Sequence, residues 1–117
     1  MLYKRLKAPE AGFWSIVGGK VDHMEPAADA AIREAEEESG LSIGHIDLLC
    51  TTEVIVEADR QHWISLIYVT RDFTGEASLV EPDKLSDFGW FGRNVLPQPL
   101  SAFAQAAIAH LSEDDFP

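Results

Sequence analysis

Residues 19–41 read GKVDHMEPAADAAIREAEEESGL, and this stretch decides how the rest of the chain is interpreted. Its second half predicts a helix on which Glu34, Glu37 and Glu38 occupy positions i, i+3 and i+4 of one face. Carboxylates that share a face repel one another at neutral pH, each close pair costing roughly a few tenths of a kcal/mol or more. A divalent cation removes that cost, and ligands that are all oxygen suit Mg²⁺ or Mn²⁺, ions that accompany phosphates.

The same run of charges, residues 33–38, is also typical of a helix face that is simply exposed to solvent. The flanking residues favour the metal site, because glycines on both sides fix a loop, a helix and a second loop at set distances. Pro26 suits the first turn of the helix, where its missing N–H costs nothing. Gly40 suits the position that follows the last turn, near Ser39.

The window resembles the Nudix box, which is a pattern of glycines, acids and one arginine at fixed spacing. The positions that match are Gly19, Glu25, Arg33, Glu34, Ala35, Glu37, Glu38, Gly40 and Leu41. Two positions depart from the pattern: Ala35 is smaller than the usual Leu, Ile or Val, and Val17 stands where proline is frequent. So many fixed positions in one short window are far more specific than a lone glycine-rich loop.

The resemblance implies a role for each matching residue. Glu34, Glu37 and Glu38 would be the catalytic residues and metal ligands, and one of them or a nearby acid would orient the attacking water. The main-chain carbonyl of Gly18 would complete the metal's inner shell, which we expect to require a residue without a side chain. Arg33 would pair with an acid of the motif, because a guanidinium fits a carboxylate. The structural residues of the motif would be Gly19, Glu25, Arg33 and Gly40.

A second segment, residues 81–91, reads EPDKLSDFGWF and resembles an element of Nudix nucleoside triphosphatases in which an acid precedes an aromatic strand. By that resemblance Glu81 would bind the metal or read the base, and Asp83 would help to bind the substrate, unless both are ordinary loop acids. Lys20 would contact phosphate or lie at the surface. The aromatic side chains that could stack on a base are Phe13, Trp14, Trp63 and Trp90. Most aromatic residues in strands belong to the core instead.

Composition limits the class of protein. A chain of 117 residues predicts a single domain over 1–117. The formal net charge of −11 argues against binding duplex nucleic acid or anionic membranes. It does not argue against a nucleotide, because a bound cation reverses the local sign of the charge. The lone cysteine, Cys50, excludes an internal disulfide and fits the cytoplasm, and no stretch is apolar for long enough to span a bilayer.

The remaining elements predict a mixed α/β (α+β) domain. Strands are expected at 2–6, 13–17, 47–56, 62–70 and 87–91, and a second helix at 101–111 before a loose acidic tail. The resemblance implies the Nudix sandwich, a mixed sheet packed between helices. Members of that family carry a further strand ahead of 2–6, so this first strand is expected to be missing. Open sheet edges would result, and another segment or a second subunit, as in a homodimer, could fill them.

These patterns predict a Mg²⁺-dependent hydrolase, for which Mn²⁺ is a second candidate ion. The small-molecule substrate would be a (deoxy)nucleoside triphosphate, cleaved to the monophosphate and pyrophosphate. An ADP-ribose or nucleotide-sugar pyrophosphatase is the enzymatic alternative. A non-catalytic Nudix-like module that binds a nucleotide is an alternative of another class, although it would not need three clustered acids. The last alternative is an acidic helix that contacts proteins and binds no metal.

Overall fold

The structure is a computed structural model that describes residues 1–7 and 10–116. Within these ranges, helix α1 spans Ala27–Ser39 and helix α2 spans Ala102–His110. The strands β1 to β7 are, in chain order, Leu2–Arg5, Trp14–Ser15, Ser42–Ile43, Asp47–Val56, Gln61–Val69, Phe73–Thr74 and Leu85–Gly89. Short 3₁₀ turns cover Glu57–Asp59, Arg93–Val95 and Glu113–Asp115. The prediction of a mixed α/β chain is therefore confirmed, and none of the described helices is long and apolar enough to cross a membrane.

The strands form three small sheets in the described part of the chain. Strand β1 lies between β2 and β7, β3 pairs with β6, and β4 pairs with β5. All of these pairings are antiparallel. The loop that precedes α2 runs beside β2, and there Trp14 and Leu100 form an isolated parallel bridge.

The longest pairing is the hairpin of β4 and β5. Its register runs from Asp47 opposite Val69 to Val56 opposite Gln61, and Arg60 closes the turn in the left-handed region at φ 52°. The sequence WISLIYV in β5 is rich in β-branched and aromatic residues, which fit a pleated surface. The predicted bounds of β4 are those observed, and β5 begins one residue earlier than predicted.

Helix α2 packs against β2 and β4. Ala104 and Ala107 are fully buried on it, and such small side chains let the helix lie close to the strands. Ser101 caps the helix: its Oγ accepts a hydrogen bond from the Ala104 N–H at 3.0 Å and donates one to Ser15 Oγ at 2.7 Å. This buried pair of hydroxyls joins the start of α2 to β2, which follows β1.

The prediction of a loose C-terminal tail is wrong for the described residues 112–116. The Ser112 N–H donates to Asp115 Oδ2 at 2.8 Å, and Asp115 also forms an ion pair with Arg71. The guanidinium of Arg93 lies 4.6 Å from the centre of the Phe116 ring. Two arginines from distant segments thus hold the tail in place, which an acidic composition alone could not reveal. Pro117 lies outside the described residues.

Candidate active site

Helix α1 carries the acids of the motif and ends as its sequence predicts. Gly40 adopts the left-handed conformation at φ 76°, and its N–H donates to the Glu36 carbonyl at 3.0 Å. Pro26 is one residue earlier than predicted, at the N-cap rather than in the first turn. Glu36, an acid of the same helix outside the proposed ligand set, is exposed, and its carboxylate accepts a hydrogen bond from the Ile43 N–H at 2.9 Å.

Gly19 and Glu34 are in direct contact. A Cβ built on Gly19 would lie 2.3 Å from Cδ of Glu34 and 2.5 Å from both carboxylate oxygens, closer than real Cβ atoms come. A Cβ on Gly18 would meet nothing within 4 Å. The packing of the described residues therefore requires a residue without a side chain at Gly19. The expected role of the Gly18 carbonyl as a metal ligand stays a prediction. The loop passes so close to α1 that only glycine leaves room for the Glu34 carboxylate.

Glu38 lies at the centre of a concentration of negative charge. Burial is the main cause that raises the pKa of Glu38 to about 7, and the charges of Glu34 and Glu81 raise it further. A hydrogen bond from the Gly18 N–H to Oε2 at 3.1 Å, and the charge of Arg5, act in the opposite direction. The three acids Glu34, Glu38 and Glu81 are thus brought together from α1 and from the segment before β7.

Glu81 begins the turn that leads into β7. Its carbonyl accepts hydrogen bonds from the N–H groups of Lys84 at 3.0 Å and Leu85 at 3.1 Å. Its carboxylate pairs with the Lys84 ammonium at 3.1 Å. Asp83 is exposed on the same turn, where its charge helps to raise the pKa of Lys84 after the larger contribution of Glu81. The structure therefore places Glu81 with the acids of α1 and Asp83 beside Lys84.

Arg33 joins the loop to the helix. Its Nε and Nη2 donate to the two carboxylate oxygens of Glu25 at 2.8 and 3.0 Å, the paired geometry expected for a guanidinium. Nη1 donates to Glu34 at 2.9 Å and to Glu37 at 3.3 Å, and Nη2 donates to the Lys20 carbonyl at 3.3 Å. The Arg33 hydrogen bond is the main cause that lowers the pKa of Glu25. The structure thus shows the expected pairing and adds a main-chain contact to it.

Asp22 is a member of this cluster that sequence reasoning missed. It pairs with Arg33 at 3.4 Å, and its N–H donates to Glu25 Oε1 at 3.1 Å. A glutamate whose carboxylate accepts from the main-chain N–H three residues earlier is one half of the capping-box pattern, which was the available sequence signal. One arginine is therefore shared by the carboxylates of Asp22, Glu25, Glu34 and Glu37.

Each acid proposed as a metal ligand faces a hydrogen-bond donor or a cation rather than the other acids. Glu34 and Glu37 are turned to Arg33, Glu38 to the Gly18 N–H, and Glu81 to Lys84. Accordingly, no three side chains of His, Cys, Asp or Glu among residues 1–7 and 10–116 are close enough together to hold a metal ion. The donor set is nevertheless made of oxygen atoms only, which is the chemistry that Mg²⁺ prefers.

Strand β1 contributes two residues that sequence reasoning also missed. Tyr3 is buried on β1, and burial and the charge of Glu38 raise the pKa of its hydroxyl to about 12. The charge of Arg5 lowers the pKa of Glu38. Alternate residues of a strand point to one face, so Tyr3 and Arg5 both lie on the side of α1. Since a strand was predicted at LYKR, its alternation was the sequence signal that Tyr3 and Arg5 share one face.

The aromatic candidates lie in different places. Trp14 packs edge-on against Phe91 at 5.4 Å between ring centres, and Phe13 precedes it and is half-buried. Trp90 stacks on Phe73 at 5.6 Å and is exposed. Trp63 is half-buried on β5, and the Lys20 ammonium lies 5.8 Å from its ring centre. Trp63 therefore contacts Lys20 in the loop that precedes α1.

The contact between Gly19 and Glu34 predicts the effect of adding one methyl group. In Gly19→Ala the Cβ would displace the Glu34 carboxylate, a flexible end that can move at little cost to folding. We expect turnover to fall about tenfold or more while the melting temperature stays nearly constant. Steady-state kinetics and thermal melting would test this. Gly18→Ala should reduce turnover less than Gly19→Ala. An equal loss of turnover in both variants would contradict the steric argument.

The raised pKa of Glu38 predicts how the metal-free protein responds to pH. A carboxyl whose pKa rises from 4.5 to about 7 on folding adds stability that is complete below pH 4.5. That stability is lost as the pH rises through about 7, because the buried group must then ionise. In chelator, the melting temperature of the wild type should therefore fall relative to that of Glu38→Gln between pH 5.5 and 8. Parallel pH profiles for the two proteins would be inconsistent with a buried, crowded Glu38.

Comparisons with known proteins show what the sequence and the fold of this chain are similar to. A family model described as NUDIX domain matches residues 1–111. The crystal structure of a MutT NUDIX hydrolase from Burkholderia pseudomallei superposes with a TM-score of 0.91 at 42% identity, covering 95% of this chain and 86% of that one. An RNA pyrophosphohydrolase of Erythrobacter litoralis is 24% identical over 117 residues, covering 86% of this chain and 71% of that protein. An ADP-ribose pyrophosphatase of Methanocaldococcus jannaschii is 31% identical over 98 residues, covering 84% of this chain and 57% of that protein.

Proposed function

The chain belongs to the Nudix hydrolase family, and on that premise we propose that it cleaves (deoxy)nucleoside triphosphates to the monophosphate and pyrophosphate with bound Mg²⁺. Its sandwich fold and its action as a pyrophosphohydrolase on nucleotide substrates follow from that membership. The observation that supports the finer proposal is that the half-buried Glu38 feels the charges of both Glu34 and Glu81, which raise its pKa and place acids of α1 and of the segment before β7 near one another.

The residues that would hold the ion are Glu34, Glu37, Glu38, Glu81 and the main-chain carbonyl of Gly18. Mg²⁺, or Mn²⁺ in its place, would lower the pKa of a bound water and neutralise charge on the bridging oxygens of the substrate. The fit rests on the chemistry of the donors and on the raised pKa of Glu38, because an acid that is costly to ionise gains most from a nearby cation.

The surrounding residues would fix the positions of these ligands. Gly19 allows the loop to lie against Glu34, and Arg33 holds both Glu34 and the Lys20 carbonyl. Lys20 is exposed, and its main chain is fixed next to the acids, which supports a contact between its ammonium and the phosphates. One of the acids would accept the proton of the attacking water. Glu81, which comes from outside the motif, could serve as a ligand or as that base.

An ADP-ribose pyrophosphatase is the second candidate function, and the archaeal relative of that name favours it. In that substrate a diphosphate joins two sugars, so the same acids and ion would serve, and only the groups around the diphosphate would differ. A triphosphate differs by its free terminal phosphate, whose extra charge Lys20 could offset.

An assay of phosphate products across a substrate panel separates these proposals. The panel would contain the common nucleoside triphosphates, ADP-ribose and a nucleotide sugar, each with Mg²⁺ and with chelator. We expect pyrophosphate and monophosphate from a triphosphate, and no product in chelator. Turnover of ADP-ribose in preference to every triphosphate would establish the second candidate instead. No turnover of any substrate would indicate a module that binds nucleotides without cleaving them.

Several further expectations belong to the same proposal. They are a single domain over 1–117, a cytoplasmic location, no binding of duplex nucleic acid, and assembly as a homodimer through open sheet edges. Each of them stays a prediction. Gel filtration with light scattering would decide the last, because a monomer at all concentrations would rule out the homodimer.

A further inference from the structure

The contact between Lys20 and Trp63 joins the loop that precedes α1 to the β4–β5 hairpin. Lys20 follows Gly19, whose Cα lies against the Glu34 carboxylate, and the Lys20 ammonium is 5.8 Å from the centre of the Trp63 ring. This separation is within the range of a cation–π contact. The Trp63 ring is thus one lysine side chain away from the acids that would bind the metal.

The Trp63 ring is positioned by two further contacts. Its Nε1–H donates to Gln61 Oε1 at 3.0 Å, and Phe103 of α2 packs edge-on against it at 6.3 Å between ring centres. A ring fixed in this way loses little further freedom when another flat ring stacks on it. It therefore has the properties of a stacking platform for a base.

Lys20 combines a fixed main chain with a movable end. Its carbonyl accepts a hydrogen bond from Arg33 at 3.3 Å, and within the described residues its ammonium forms no salt bridge despite the many acids nearby. A contact between a lysine ammonium and a ring that is partly open to solvent is weak compared with one between the ammonium and a phosphate. The ammonium can therefore leave the ring when a phosphate binds beside Glu34.

We propose that the indole of Trp63 is the surface on which the nucleotide's base stacks, and that the Lys20 ammonium covers this ring until it moves to the phosphates. This inference rests on the proposed function, since it assigns the base to one side of the same site. Trp90 already stacks face to face on Phe73, whereas the Trp63 ring lies against the Lys20 ammonium, next to the loop that precedes α1. Stacking reads the flat face that all bases share, so Trp63 would give affinity for nucleotides with little choice among bases.

Equilibrium binding without turnover tests this inference. The probes are an α,β-methylene nucleoside triphosphate, which cannot be cleaved at the proposed bond, and inorganic tripolyphosphate, which has no base. Both would be titrated with Mg²⁺ by calorimetry. Trp63→Leu should weaken binding of the nucleotide analogue about tenfold, because one stacking contact is lost. Its affinity for tripolyphosphate should not change. Trp63→Phe should stay within about threefold of the wild type, which separates lost stacking from a damaged fold.

Two further variants complete the test. Lys20→Met keeps the apolar part of the side chain and removes its charge, so it should weaken binding of both probes. Trp90→Leu is the matched control, and it should change neither. Binding of the analogue should also quench tryptophan emission in the wild type and in Trp90→Leu, and much less in Trp63→Phe.

The inference is overturned if Trp63→Leu weakens both probes equally, if it leaves the nucleotide analogue unaffected, or if the wild type does not bind the analogue. The proposed function is tested separately, by turnover of triphosphates in the wild type. It can therefore hold even if the inference about Trp63 fails.

Discussion

Glu38→Gln should lower the rate of hydrolysis by about 10²-fold or more with Mg²⁺, the largest effect that we expect from one substitution. The change removes one negative charge and keeps the shape of the side chain. Glu38 is half-buried, close to Glu34 and Glu81, and it accepts a hydrogen bond from the Gly18 N–H. A glutamine in its place would be a weaker metal ligand, so both the affinity for the ion and the activation of water should fall.

Glu36→Gln is the matched control for this experiment. It makes the same chemical change on the same helix at an exposed position, and a glutamine can still accept the hydrogen bond from the Ile43 N–H. Its turnover should be within about twofold of the wild type, as is usual for surface substitutions. Near-normal turnover of Glu38→Gln at saturating Mg²⁺ would refute the assignment of Glu38.

Arg33→Ala should reduce turnover about 10–100-fold and also lower the melting temperature, because residues that orient metal ligands have effects of this size. The substitution removes the cation shared by Asp22, Glu25, Glu34 and Glu37. The loop would lose its hydrogen bond at the Lys20 carbonyl, and the carboxylates would repel one another. Circular dichroism melting and steady-state kinetics on the same preparations would measure both effects.

Arg33→Lys provides an internal comparison, because it keeps the charge and loses the fork that contacts both Glu25 oxygens. It should fall between the wild type and Arg33→Ala in both measurements. If turnover fell in Arg33→Ala while the melting temperature did not change, Arg33 would act on the substrate directly instead of holding the loop.

The parts of the structure that sequence predicted are those fixed by local periodicity. The spacing of Glu34, Glu37 and Glu38 places them on one face of any helix, and Gly40 ends that helix because glycine adopts the left-handed conformation easily. The bounds of β4 followed from its run of β-forming residues. In each case the residues that decide the structure are neighbours in the chain.

The contacts that sequence did not predict join segments that are distant in the chain. Tyr3 and Arg5 on β1 lie near enough to Glu38 on α1 for their electrostatic interaction, and no local pattern in β1 specifies that partner. The anchoring of the tail depends on Arg71 and Arg93 in the same way. The steric role of Gly19 depends on how closely the loop before α1 approaches the Glu34 carboxylate, and the spacing of the motif does not specify that distance.

The central claim is that the acids of α1 gather around one divalent ion that holds the nucleotide. A crystal grown with Mn²⁺ and an α,β-methylene nucleoside triphosphate tests this most directly, because manganese is located by its anomalous scattering. We expect an anomalous peak within ligand distance, about 2.0–2.3 Å, of Glu38 and of at least one more of Glu34, Glu37 and Glu81. A phosphate oxygen should contact the same ion. A bound nucleotide with manganese elsewhere, or with these carboxylates still turned to Arg33 and Lys84, would contradict the claim.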